Sequence, residues 1–305
     1  MKRFFIITLA VITLLSVGCS KQGDTPVVID LPPTPAPVET PAPTPEPTPE
    51  PEPAYVSPYT DKIAEVKAKN SDNIGWVAIP GTNIDYPIMY GDKWLYADHD
   101  VNKKESTSGA IYSHYNIATQ NIVITGHNAR VSGEMFHQLH HIQEVNLGKE
   151  KCAYTKRCTI TLDKATLPDF STEEGRLIDI SAFGIEGKFE IFAMYETTKK
   201  EPDKTLLYNT WWPGDGGFIP KNAEEIQTWI DAQIKRSEFD FGVTAAPTDQ
   251  FVTLYTCGDN PDSDVPNAQS RLYFFLKQVD PVSTLYGGGA ADAAAAGGQE
   301  VPPAA

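Results

Sequence analysis

The chain has 305 residues and a formal charge of −15, from 25 Lys and Arg against 40 Asp and Glu. That balance argues against nucleic acid as a partner, because neutralising phosphates needs clustered cations. Only the middle, about 225 residues, reads as ordinary folded sequence, enough for one domain with its own core.

Lys2 and Arg3 precede an apolar run, Phe4 to Val17, followed by Gly18 and Cys19. At 1.5 Å per residue the run reaches about 21 Å, short of a bilayer core of about 30 Å. It reads as a secretory signal over residues 1–19, with Cys19 after a small residue as the lipidation site; an uncleaved signal anchor is the alternative. Both place the protein on the extracellular face of the cell membrane, anchored at its N-terminus. From Ser20 to Ala54 there are 12 prolines, and six of the acids fall in the same stretch. Residues 20–57 are therefore expected to form an extended, disordered linker, and 58–282 the folded domain. The Gly/Ala-rich end, 283–305, is expected to be disordered.

The domain opens with a helix over Thr60 to Lys69, carrying Ile63 and Val66 on one face and stopped by Asn70, Ser71 and Asp72. Short runs rich in β-branched and aromatic residues follow at 74–79, 84–90, 110–113, 122–125, 159–162, 177–185, 188–195, 251–256 and 272–279, bounded by Gly, Pro, Asn or Asp. Their density predicts a mainly β fold, a sheet curled into a barrel. One helix interrupts them at 223–237, with Ile226, Trp229, Ile230 and Ile234 forming an apolar stripe. There is no internal repeat and no glycine-rich phosphate loop.

Of the three cysteines left after export, Cys152 and Cys158 lie close enough for a small-loop disulfide, or remain unpaired. No histidine stands beside them at ligand spacing, so no metal site is expected. Cys257 ends a strand, Phe-Val-Thr-Leu-Tyr-Thr-Cys, and Gly258 follows it. His127 comes just after the strand Asn-Ile-Val-Ile-Thr, and Arg271 begins the last strand. Each is ordinary alone. If the strands ending at Cys257 and starting at Arg271 pair antiparallel, thiol and guanidinium share one end of the sheet. A thiol needs an imidazole or a cation to favour thiolate, and a guanidinium can donate to an oxyanion. Nucleophile, proton carrier and oxyanion donor together are what acyl transfer requires.

Thr253-Leu-Tyr-Thr-Cys257 resembles the Thr-Leu-x-Thr-Cys signature of sortases. Asn70 to Ile88 (NSDNIGWVAIPGTNIDYPI) resembles the opening of the class B sortase domain. Gly126-His127-Asn128, with Met135, Phe136 and Leu139, resembles that class's histidine region, and the helix before the last two strands is a further class B feature. The resemblance covers about Tyr59 to Val279. It implies a closed antiparallel or mixed barrel of about eight strands, with a helix at its N-terminus and another before the last two strands. The sequence departs from the class at Thr125, where tyrosine is common, and at His114, where an acid is common.

The resemblance also implies a two-step transfer. Cys257 attacks the carbonyl after the threonine of a C-terminal sorting signal to give a thioester, His127 moves the protons, and Arg271 holds the oxyanion. Leu254, Tyr255, Thr256 and Asn128 are expected to line the peptide groove, and Asp259 is a candidate acid to orient the site. No cofactor is expected. The partners implied are surface proteins bearing sorting signals and an amine on a peptidoglycan cross-bridge or a pilin lysine. Two other readings remain open. A papain-type cysteine hydrolase would place its cysteine before the histidine and at the start of a helix, the reverse of the order here. A non-catalytic surface lipoprotein, a binding module, would have no use for all three chemical residues.

Overall fold

The computed structural model describes residues 57–91, 94–113, 120–148, 164–197, 218–258 and 270–279. The expectations for the signal and Cys19, the proline-rich linker, His114, Cys152 and Cys158, the strand at 159–162, Asp259 and the C-terminal tail fall outside these residues.

The first helix, α1 (Thr60–Lys69), has Asp61 in its first turn and Lys67 and Lys69 in its last, matching the helix dipole at both ends. None of its residues is fully buried, so contacts at its edge hold it to the sheet. Tyr59 stacks on Trp76, with ring centroids 6.1 Å apart. Asp85 receives Lys62 Nζ at 2.7 Å and Trp76 Nε1 at 2.6 Å. Burial raises the Asp85 carboxyl, but these two donors and the ammonium charge outweigh it and hold it below the usual carboxylate range.

Among the described residues ten strands follow, eight of them in the barrel. β1 (Asn73–Ala78) pairs antiparallel with β2 (Asp85–Tyr90), and β3 (Ile111–Ser113) joins β2 in parallel. β4 (Asn121–Thr125) runs antiparallel to β3. Beyond it, β5 (Asn128–Ala129) and β6 (Glu134–Met135) form a small separate hairpin that leads into α2 (His137–Asn146). Then come β7 (Leu177–Ala182), β8 (Ile185–Glu196), α3 (Ala223–Arg236), β9 (Phe251–Cys257) and β10 (Arg271–Gln278). The barrel closes in the order β1-β2-β3-β4-β9-β10-β8-β7, mixed because β2–β3 and β4–β9 are parallel.

Alternation of side chains fills two cores. Val77, Ile88, Ile124, Phe189, Leu254 and Phe274 point inside the barrel. On the outer face, α3 lays Ile226, Trp229 and Ile230 over Phe192, Phe251 and Phe275. β8 serves both cores through a bulge: Phe275 faces Ala193 but Leu276 faces Ile191, so Phe192 is the extra residue and turns outward onto Trp229.

Three expectations need correction. The run at 177–185 contains a hairpin, because Phe183 and Gly184 both take positive φ (54° and 83°) in a two-residue turn between β7 and β8. Ile234 does not bury with the α3 stripe and stays 43% exposed. Gln233 takes the inward place, where its Oε1 accepts the Tyr195 hydroxyl at 2.7 Å, a bond that isoleucine has no atom to make. Helix α2 was not expected at all.

Gly75 marks where the barrel is tightest. A Cβ there would lie 1.7 Å from the main-chain oxygen of Ser181 on β7, an atom that cannot yield without parting the strands. Gly75→Ala is expected to cost about 3 kcal/mol, read from the urea unfolding midpoint. Gly148→Ala meets nothing within 4 Å and carries only its left-handed φ of 67°, about 1 kcal/mol. Equal losses at the two sites would contradict this packing.

Candidate active site

Strand register builds the site. β4 and β9 pair in parallel as far as Thr125 beside Tyr255, and His127 follows two residues after β4 ends, flanked by Gly126, whose oxygen accepts from Thr256 Oγ1, and Asn128, whose Nδ2 donates to Cys257 O. β9 and β10 pair antiparallel with Cys257 directly opposite Arg271. Cys257 and Arg271 therefore face each other at one rim of the barrel, and the loop after β4 brings His127 to the same rim. Gly258 N–H donates to Ser270 O at 2.8 Å, which makes Cys257 and Arg271 the next, non-hydrogen-bonded pair, the kind whose side chains approach most closely.

Hydrogen bonds stitch the histidine loop to the cysteine strand on both sides of His127. Thr256 Oγ1 donates to Gly126 O at 2.8 Å, Asn128 Nδ2 to Cys257 O at 3.0 Å, and Arg130 Nη2 to Gly258 O at 3.0 Å. From α2, His140 Nε2 reaches Cys257 O at 2.9 Å. The imidazole of His127 faces the Ala97 carbonyl through Nε2 at 2.5 Å. A carbonyl only accepts, so Nε2 carries the proton and Nδ1 is the nitrogen left to exchange one. Arg271 is fixed at its main chain by Thr197, whose Oγ1 accepts from its N–H at 2.8 Å and whose N–H donates to its oxygen at 2.9 Å. Its Nη1 donates to Ser270 O at 2.9 Å.

Cys257, His127 and Arg271 are each half-buried, open enough to meet a substrate. Behind them, two phenols share the field of the thiol and the guanidinium. Burial pushes Tyr255 up to about 12 and also raises Tyr112; a charge on Cys257 adds to both shifts and the Arg271 cation opposes them. Both stay neutral hydroxyl donors across the physiological range. Thr125, where tyrosine was expected, donates its hydroxyl to Tyr255 O at 3.0 Å. Gly258 is a position of close approach, since a Cβ would sit 2.3 Å from Ser270 Oγ and 2.4 Å from Glu196 Oε1.

The fold itself has close counterparts. No protein-family model matches the chain. Sortase B of Listeria monocytogenes is 26% identical over 212 residues, spanning 66% of this chain and 69% of that protein. The crystal structure of Clostridium perfringens sortase B superposes with a TM-score of 0.52 at 27% identity, over 71% of this chain and 99% of that one. In both sequence and fold the chain is similar to class B sortases. A Staphylococcus aureus sortase B–substrate complex shares the fold, with a TM-score of 0.50 at 20% identity over 73% of this chain and 86% of that one. That likeness supports a sortase-type cysteine transpeptidase, and the closed mixed barrel is of the expected kind.

Not every expected groove residue can face a substrate. Leu254 is 0% exposed inside the barrel and Thr256 is 1% exposed with its hydroxyl committed to Gly126. Alternation explains this: Cys257 shares its face with Tyr255, not with 254 or 256. Tyr255 is half-buried on the outer side, 5.8 Å from Tyr273. The amide of Asn128 is engaged by Cys257 O and by His137 Nδ1 at 2.6 Å. Sequence reasoning missed His137, His140 and His141, three of the six histidines in the chain. Their i, i+3, i+4 spacing was the available signal, one face of a helix carrying imidazoles.

Proposed function

We propose that the sortase cleaves a C-terminal sorting signal after threonine through a thioester on Cys257, then passes the acyl group to an amine. The gathering of His127, Cys257 and Arg271 at one rim of the barrel carries this reading. The Cys257 thiolate attacks the threonine carbonyl carbon, and the Arg271 guanidinium stabilises the oxyanion that forms. His127, protonated at Nδ1, gives that proton to the departing amine as the C–N bond breaks. An incoming amine then attacks the thioester, His127 takes up its proton, and the thiolate leaves. Signals of the Asn-Pro-x-Thr type are the expected donors, with a peptidoglycan cross-bridge or a pilin lysine as acceptor. Lipidation of Cys19 would hold the domain outside the membrane, within reach of both.

The test mixes the purified protein with an Asn-Pro-x-Thr peptide, with and without a short glycine peptide or a lysine peptide as amine. A ligated product that appears only with amine is expected. Cleavage indifferent to either amine would identify a hydrolase, and no reaction would favour a binding module. Which amine is used separates wall anchoring from pilin joining.

A further inference from the structure

The main-chain carbonyl of Cys257 is held in an unusual way. It accepts two side-chain hydrogen bonds, from Asn128 Nδ2 at 3.0 Å and His140 Nε2 at 2.9 Å. β4 ends at Thr125, so side chains supply donors where the ladder no longer continues. His140 must carry its proton on Nε2, because the carbonyl only accepts. Asn128 is itself oriented: His137 Nδ1 donates to its Oδ1 at 2.6 Å, so turning the amide over would set donor against donor and acceptor against acceptor. With His137 neutral, its Nε2 accepts from His141 Nε2 at 3.1 Å. All three histidines are buried on α2.

The same peptide unit extends the chain of bonds toward the cation. Its N–H, that of Gly258, donates to Ser270 O, and Arg271 Nη1 donates to that same oxygen. Donors at one end of a peptide unit polarise it and strengthen the bond at its other end. A continuous network thus runs from α2 through the peptide unit between Cys257 and Gly258 to the guanidinium.

Resting on the reading of Cys257 as nucleophile, we infer that His140 and Asn128 are positioning residues for the thiolate, with His137 setting the sense of Asn128. They stop the strand end from pivoting beyond its last ladder bond. They also offset the negative end of the carbonyl dipole on the residue that bears the sulfur, which favours the thiolate.

His140→Phe keeps a ring of similar size and removes the donor, whereas His140→Gln restores an N–H. In the peptide–amine assay His140→Phe should lower kcat about tenfold, the size of one hydrogen bond lost, with KM unchanged. The pH profile of Cys257 alkylation by iodoacetamide should move to higher pH, and His140→Gln should recover most of both. Asn128→Ala, on the half-buried hairpin, should give the same split and serves if the helix variants do not fold. Equal losses in the Phe and Gln variants with an unmoved alkylation profile would mean general damage to α2 and overturn the inference. Wild-type kcat and profile in both His140→Phe and Asn128→Ala, with Cys257→Ala inactive, would overturn it while leaving the nucleophile in place. Transfer surviving in Cys257→Ala would remove the reading beneath it.

Discussion

Cys257→Ala is expected to abolish transfer, lowering turnover by about 10⁴-fold or more, while leaving the unfolding midpoint where it was. The two halves of this expectation have separate causes. The side chain is half-buried at a strand end, and what ties residue 257 to its surroundings is its main chain: the carbonyl held by Asn128 and His140, and the register opposite Arg271. Alanine keeps all of that and removes only the sulfur. Losing one member of a nucleophile–base unit costs nearly as much as losing both, because the remaining imidazole has nothing to activate. Steady-state transfer and urea unfolding on the same preparation check both halves. Residual turnover above this level would mean another group can attack the carbonyl.

Arg271→Ala should lower kcat by about 100-fold or more, the scale for removing an oxyanion donor. Here too the main chain is secured independently, by Thr197 and by β9, so the barrel is expected to stay closed. Arg271→Lys keeps the charge without the planar fork and should recover only part of the loss. A role in binding the peptide alone would raise KM at constant kcat, so the split between the two constants tells these functions apart. Unimpaired turnover in Arg271→Ala would take the guanidinium out of the mechanism.

The placement of Cys257, His127 and Arg271 was legible because each stands at or just beyond a strand boundary, and strand boundaries follow from β-branched runs ended by glycine or polar residues. α1 was found with the same bounds, and α3 within one residue at its end. Local patterns failed where tertiary partners decide. α2 lacks a clean apolar stripe because its buried faces are polar, with Gln138 and His140 satisfied by neighbours distant in sequence, His137 by Asn128 and His141 by His137. The Phe183–Gly184 turn is hidden in an apolar run because a phenylalanine occupies one of its left-handed positions. The bulge at Phe192 changes which face each β8 residue serves, and only the pairing with β10 reveals it. The expected groove included Leu254 and Thr256 because adjacency in sequence stood in for adjacency on a face.

The chemistry proposed for this protein depends on a covalent intermediate at Cys257, and intact-mass spectrometry tests it most directly. The protein would be mixed briefly with an Asn-Pro-x-Thr peptide in the absence of amine, quenched in acid and weighed. An added mass equal to the peptide fragment ending in threonine is predicted, located on Cys257 by digestion, discharged by hydroxylamine and absent from Cys257→Ala. Product forming at the usual rate when amine is supplied, with no adduct on Cys257 at any time, would contradict it.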